Sequence, residues 1–420
     1  MARVLMIPKD TAMKKILHIN TVYTGGGAAQ VARDIFAFAG QNGYDAYFAY
    51  GRGKKSKDEK TFRFGNGFEN FLHLILVRFL GLEGFGTYFS TRKLIRFIQK
   101  EKFDLIHLHN LHGYYLNFFD LFAFLKTSGV PVVWTFQDEW PLTWLPAHSM
   151  GCLHCKGGAG KCTTNYPYPK TYCTLFRKYM LRRKKEAFGG LNHMVIVSPA
   201  AWLAREAEKS FMAKYDIVTI SNTVDTVVFR PNDDKIALRK KYQLPEDKDI
   251  ILFSIGNFKD MNKGIDSVLR IAELLKNKNY LFLGIGKGKL PARNNITISG
   301  YVGDKKMMAE LLALSDALLF TSRAETEPVT VLEALSCGLP VAGFGIPVMH
   351  EIVSAEVGVL VPPGKEKELG QALETMLHDK EGLKRKSEHA RAMAENLFSK
   401  EKILASYINK YEELLGGNLE

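Results

Sequence analysis

The sequence offers little to carry it through a membrane and nothing that marks it for export. Its longest apolar run, Phe68 to Phe85, is interrupted by Glu69, His73, Arg78 and Glu83, so no segment reaches spanning length. Residues 1–12 lack the apolar core and small-residue cleavage site of a secretory signal, and they read as a loose tail. The expectation is a cytoplasmic protein. Acidic residues are in deficit: 44 Asp and Glu against 57 Lys and Arg leave a formal net charge of +13. Such a charge suits nucleic acid, an anionic membrane or a polyphosphate ligand. Nucleic acid drops out, because no aromatic platform and no RNA- or DNA-binding motif accompanies the charge. Low-complexity segments and strong internal repeats are missing too. Cysteine is scarce at five residues, yet four fall together at Cys152, Cys155, Cys162 and Cys173.

What is present is a regular alternation. A chain of 420 residues, 46% apolar, suits two domains of roughly 200 residues. Strands are expected at Ile16–Asn20, Ala46–Tyr50, Leu105–Leu108, Val132–Phe136, Val195–Val197 and Val218–Ser221, with a helix from Ala28 to Asn42 after the first. A second series runs Ile250–Ile255, Tyr280–Gly284, Ile296–Ser299, Ala317–Phe320, Val341–Phe344 and Val357–Val361. Short apolar strands alternating with helical patterns mean parallel sheets covered on both faces. The polar, proline-bearing stretch from Ser221 to Asp233 reads as a linker. The fold class is therefore α/β, with Rossmann-like domains over residues 13–222 and 223–398. A Cys-rich insertion occupies about 148–175, and an amphipathic last helix lies within 399–420.

The most informative segment runs from Arg323 to Pro340. It places Glu325 and Glu333 eight positions apart across the start of a short helix that Pro328 opens and Gly338 and Pro340 stop. The N–H groups of Val329, Thr330 and Val331 lie between the two carboxylates. Unpaired, and at the positive end of the helix dipole, they suit a diphosphate. One carboxylate can then take sugar hydroxyls and the other ribose hydroxyls.

Other constellations surround this one. Thr24-Gly25-Gly26-Gly27 follows the first strand and opens a helix, so backbone amides there can approach a ligand; the pattern is not G-x-G-x-x-G, which disfavours a dinucleotide oxidoreductase. Gly256, Lys259 and Lys263 follow the first strand of the second half, where a lysine can neutralise a leaving pyrophosphate. Asp247-Lys248-Asp249 has the form of a metal-binding carboxylate pair but precedes its strand. His107, His109 and His112 concentrate imidazoles near a strand end. The four clustered cysteines, starting with a C-x2-C pair, fit a structural zinc, with free thiols or a redox pair as the alternatives. The basic run Arg177–Lys185 and the Phe-rich region 68–97 read either as a seat on anionic lipid or as solvated helix faces.

The Glu325–Glu333 segment resembles the E-x7-E motif of retaining glycosyltransferases of family 4, of the GT-B fold. The runs His107–Asn117 and Trp134–Pro141 resemble its colanic-acid and capsule-type branch. The resemblance covers nearly all of residues 14–415. It implies a donor sugar on Glu325, ribose on Glu333, and the diphosphate on Lys263 and the helix start, with Lys259 and Gly256 beside it. Gly26 and Gly27 would line the cleft opposite and help bind the donor, in a loop facing the acceptor and the donor phosphates; Gln137 would sit near the reacting sugar, and Asn110, His112, Tyr115 and Asp138 would meet the acceptor. The last helix would cross back to the first domain. The reaction would move a sugar from a UDP- or GDP-linked donor to a glycan or lipid-linked glycan, without a catalytic metal, at the inner face of the plasma membrane. Two departures stand out: Asn257 where the family commonly has Arg, and Gln137 where the branch usually has His. Gln can bond a hydroxyl but carries no proton. Those departures motivate the rival reading of a non-catalytic sugar-nucleotide or glycan-binding protein; a lipid-surface scaffold is a second rival and an epimerase of the same fold a more distant third.

Overall fold

The computed structural model describes residues 13–157 and 168–416. Among these residues thirteen strands form two wholly parallel sheets. The first holds β1 (Lys15–Val22), β2 (Asp45–Arg52), β3 (Thr61–Arg63), β4 (Leu105–Leu108), β5 (Val132–Thr135), β6 (Met194–Ser198) and β7 (Asp216–Thr219), in the order β3-β2-β1-β4-β5-β6-β7. The second holds β8 (Asp249–Asn257), β9 (Tyr280–Lys287), β10 (Ile296–Gly300), β11 (Ala317–Phe320), β12 (Val341–Phe344) and β13 (Gly358–Val361), in the order β10-β9-β8-β11-β12-β13. Central strands such as β4, β5, β11 and β12 are apolar at nearly every position because helices cover both faces and bury every residue.

Strand order reverses direction once in each sheet, between β1 and β4 and between β8 and β11. The loops leaving these strands open a crevice at each switch point, the usual ligand position in such sheets. They are the loops after β1, β4, β8 and β11 that the sequence singles out. The Asp247–Asp249 pair falls at the opposite, amino edge of β8, where Asp249 pairs with Lys380 (2.9 Å).

The last helix, Lys400–Gly416, returns to the first sheet. Its Leu404, Tyr407, Ile408 and Tyr411 pack with Ile16, Leu105 and Val133. The Tyr411 hydroxyl bonds His107 Nδ1 (2.6 Å), and His107 Nε2 bonds Thr135 Oγ1 (2.8 Å). His18 Nδ1 and His109 Nε2 share a further bond (3.1 Å), so three buried imidazoles lie together beneath the crossover helix. Burial holds all three well below the usual histidine pKa, His18 at about 3. In the unfolded chain they protonate near pH 6.5. Their stabilisation is therefore complete above that pH and is lost as the pH falls toward the folded values, by about 1.4 kcal/mol per pH unit per histidine. Acid denaturation followed by circular dichroism is expected to begin between pH 6 and 5 and to move to lower pH in His18→Phe.

Candidate active site

The bracket helix spans Val329–Ser336 with Pro328 as its N-cap, so Glu333 rides the helix and Glu325 the loop before it. One expectation is corrected. The Val331 N–H is not open, because it donates to the Pro328 carbonyl (2.9 Å) in a tight first turn. Val329 and Thr330 keep amides without an acceptor among the described residues, and no side chain caps the end. Half-buried Glu333 has its carboxyl pushed up to about 7 by desolvation, which Lys305 offsets in part.

Lys263 meets Glu325 directly, Nζ to Oε1 at 2.6 Å. Burial opposes the lysine charge, but Glu325, helped by Asp260, outweighs it and raises the pKa. The lysine loop is laced to the bracket loop: Thr321 Oγ1 donates to the Gly264 carbonyl (3.0 Å), the Arg323 N–H to the Asn262 carbonyl (2.8 Å), and Arg323 Nη2 to Asp266 (2.6 Å). Gly264 makes the lacing possible. Its φ is +70°, and a Cβ there would lie 2.0 Å from the Thr321 carbonyl oxygen. Gly256 and Lys259 are exposed at the same strand end. Asn257 Oδ1 accepts the Lys259 N–H (3.0 Å), so this side chain shapes its own loop and supplies no cation.

The bracket loop also touches the first domain. Thr326 Oγ1 donates to the Gln137 carbonyl (2.8 Å), and Trp202 Nε1 donates to the Thr326 carbonyl (2.9 Å). The Gln137 side-chain Nε2 is buried without a partner among the described residues. Glu327 accepts from Ser221 Oγ (2.6 Å) and from the Asn222 N–H, and burial pushes its carboxyl up to about 8. It ties the bracket to the linker. Beside Glu325 a cavity of about 840 Å³ opens between Trp202, the start of the insertion and the ends of β12 and β13. A second, of about 470 Å³, lies on the first-domain side, walled by Gly25, Gly26, Gly27, Arg52, Asn110, His112, Gly113 and Tyr168.

Several expected site residues fall elsewhere. Tyr115 is fully buried with its hydroxyl spent on the Asn110 carbonyl (2.7 Å), so it supports the loop and cannot reach a ligand. Asp138 is buried behind His112, Oδ2 to Nε2 at 2.6 Å, and positions that ring. Lys184, placed by sequence on a solvated or lipid-facing basic patch, is fully buried. It donates to the Trp140 (2.8 Å) and Thr143 (3.1 Å) carbonyls, and burial lowers its pKa to about 7. Cys152 and Cys155 pack into the main core of the first domain, and Cys173 is half-buried. Cys162 lies outside the described residues; among those described, the other three do not gather as a metal-ligand group. Arg52 and Trp202 reach the site from distant elements, and nothing near them in sequence marks them; Glu327 stands inside the bracket segment, but its partners Ser221 and Asn222 lie 106 and 105 residues away.

Comparison with known proteins agrees with this architecture. The family description "Glycosyltransferase Family 4" matches residues 25–228, and "Glycosyl transferases group 1" matches residues 234–396. The putative colanic acid biosynthesis glycosyl transferase WcaC of Escherichia coli is 26% identical over 420 residues, 95% of this chain and all of that one. The N-acetyl-alpha-D-glucosaminyl L-malate synthase of Bacillus anthracis is 27% identical over 54% of this chain and 62% of its own length. Among solved structures, sucrose-phosphate synthase from Thermosynechococcus elongatus superposes with a TM-score of 0.72 at 16% identity, covering 96% of this chain and 100% of that one. HepE of Anabaena, solved in complex with UDP, gives 0.68 at 15% over 95% and 100%. One family description for each sheet, in the order the two sheets occur, leaves no other assignment: the chain belongs to glycosyltransferase family 4 and has its GT-B fold.

Proposed function

We propose that this glycosyltransferase takes a nucleoside diphosphate sugar as donor and transfers the sugar, with retention, to a glycan or lipid-linked glycan of a cell-surface polysaccharide. The observation that carries the reading is the Lys263–Glu325 pair set against the open end of the bracket helix, with Glu333 one turn along. A diphosphate is bound by the Val329 and Thr330 amides and by Lys263, which leaves Glu325 for the sugar and takes up charge on the departing phosphate. Glu333 accepts from ribose hydroxyls. In this reading the donor phosphate takes the acceptor's proton, and the Gln137 amide, which has no partner among the described residues, bonds a sugar hydroxyl. Support comes from HepE, whose crystals hold UDP and UDP-glucose on a similar fold, and from the polysaccharide role in WcaC's name.

The test is a thermal-shift panel of UDP, GDP and their sugars. A nucleotide at a hundred times its Kd is expected to stabilise the protein by roughly 2.7 kcal/mol, and Glu333→Ala should remove most of that shift. Failure of every nucleotide to protect would overturn the reading.

Peripheral seating on anionic lipid belongs to the same proposal. No described helix is long and apolar enough to cross a membrane. The helix Gly67–Leu80, however, is inside out. It buries Glu69 and His73, whose side chains accept the Phe89 (2.8 Å) and Gly84 (2.7 Å) amides, and turns Phe68 (69% exposed), Phe71 (57%), Leu72, Ile75 and Phe79 (56%) to solvent. Arg78 lies over Tyr172 and Arg92 over Tyr88 at its rim. An apolar stripe edged by cations fits the interface of an anionic bilayer. Co-sedimentation with phosphatidylglycerol vesicles is expected for the wild type, falling at least tenfold in Phe68→Asp/Phe71→Asp with nucleotide protection intact; equal sedimentation of both would remove this seat.

A further inference from the structure

The loop after β5 carries a buried charge network that the donor reading leaves unused. Trp140 stands at its centre, 1% exposed, at the start of the short turn Trp140–Leu142. Its backbone N–H donates to Asp138 Oδ1 (2.9 Å), and its indole Nε1 donates to Glu83 Oε2 (2.5 Å). Lys184 Nζ lies 3.6 Å from the centre of the same ring while it donates to the Trp140 and Thr143 carbonyls. The other Glu83 oxygen, Oε1, accepts the Gly113 N–H (3.3 Å). One carboxylate, 30 residues from Gly113 and 57 from Trp140, therefore grips the loop after β4 and the loop after β5 at once.

Stability alone does not call for this arrangement. Glu83 and Lys184 are 1% and 0% exposed, and taking two charges out of water costs about what their attraction returns, so apolar side chains of similar volume would serve a core equally well. Desolvation pushes the Glu83 carboxyl up, and Lys184, His112 and the Trp140 indole offset this only in part. What the carboxylate adds is direction: N–H donors from two separate loops must converge on it, and any other placement leaves a buried donor unmade. The loops so fixed face the bracket. In the same loop as Trp140, the Gln137 carbonyl accepts from Thr326 Oγ1, and Asp138 Oδ2 holds His112.

We propose that Glu83 is a positioning residue for sugar transfer: by holding Gly113 and Trp140 together it fixes the loop from which Gln137 reaches the donor sugar. The assignment rests on the transferase reading and names what holds one of its groups in place. The test follows nucleotide release, with water as acceptor, from whichever of UDP-glucose and GDP-mannose protects the protein, beside melting temperature and donor affinity. Glu83→Gln leaves Lys184 buried without its countercharge and should lower the melting temperature; Glu83→Gln/Lys184→Met removes both charges and should recover it. Release should still stay at least tenfold below wild type in the double variant, as a fall in kcat with donor KM unchanged, because an amide presents one oxygen where the two loops need two. Trp140→Phe, which keeps a ring in the core and removes the indole N–H, should lower kcat several-fold in the same way. A purely structural network would move the melting temperature and leave kcat per folded molecule alone. Wild-type kcat in the double variant or in Trp140→Phe would therefore overturn the proposal. If neither sugar nucleotide protects, the donor reading fails and this assignment with it; protection kept with unchanged release in the variants removes Glu83 alone.

Discussion

Replacing Glu325 with glutamine is expected to lower transfer about a hundred- to a thousandfold while tightening the free nucleoside diphosphate several-fold. In the empty site Glu325 holds Lys263 at 2.6 Å. A diphosphate arriving without its sugar must compete with that carboxylate for the ammonium and must sit near its negative charge. Glutamine relieves both and keeps the shape. The full donor is expected to gain nothing from the change, because its sugar would then lose the carboxylate proposed to fix it for departure, and kcat would fall. Binding by calorimetry and turnover by nucleotide release would separate the two effects. Loss of diphosphate affinity together with turnover would mean that Glu325 serves the nucleotide and not the sugar.

Lys263→Met is expected to act in the opposite sense on binding. It removes the cation that the diphosphate would meet, at about 1.5–3 kcal/mol for a charge-assisted bond, or roughly ten- to a hundredfold in affinity. It also removes charge neutralisation at the leaving group, so turnover drops by a further factor of about a hundred. Because the two side chains touch, glutamine should help less in the double variant Glu325→Gln/Lys263→Met than in the wild type: the competition for the ammonium vanishes once the lysine is gone, and only the relief from the carboxylate's charge remains. Simple additivity would show that the ion pair seen in the empty site is irrelevant to the donor.

Much of this was legible in the sequence because it is local. Short, continuous apolar runs and the loops behind them identify both sheets, and the order Glu325, Pro328, Glu333, Gly338 writes a carboxylate, a helix start, a second carboxylate and a stop. What the sequence hides is set by distant partners. Nothing in His107–Asn117 tells that Tyr115 turns inward against Gly51 while His112 turns to the cleft, because the choice depends on Asp138, 26 residues on. Arg52 comes to the cleft only because β2 lies beside β1. The Val331 amide was misjudged because the tight turn on Pro328 depends on backbone angles, not on residue type. The stripe Phe68–Phe79 has an ordinary amphipathic spacing, and only the buried Glu69 and His73 reveal that its apolar side faces out.

The most direct measurement is a crystal structure with an intact nucleoside diphosphate sugar. The diphosphate is expected on the Val329 and Thr330 amides with Lys263 swung from Glu325 to a phosphate oxygen, the ribose on Glu333 and the sugar on Glu325. A donor bound with the Lys263–Glu325 pair unbroken and the bracket helix untouched would contradict it.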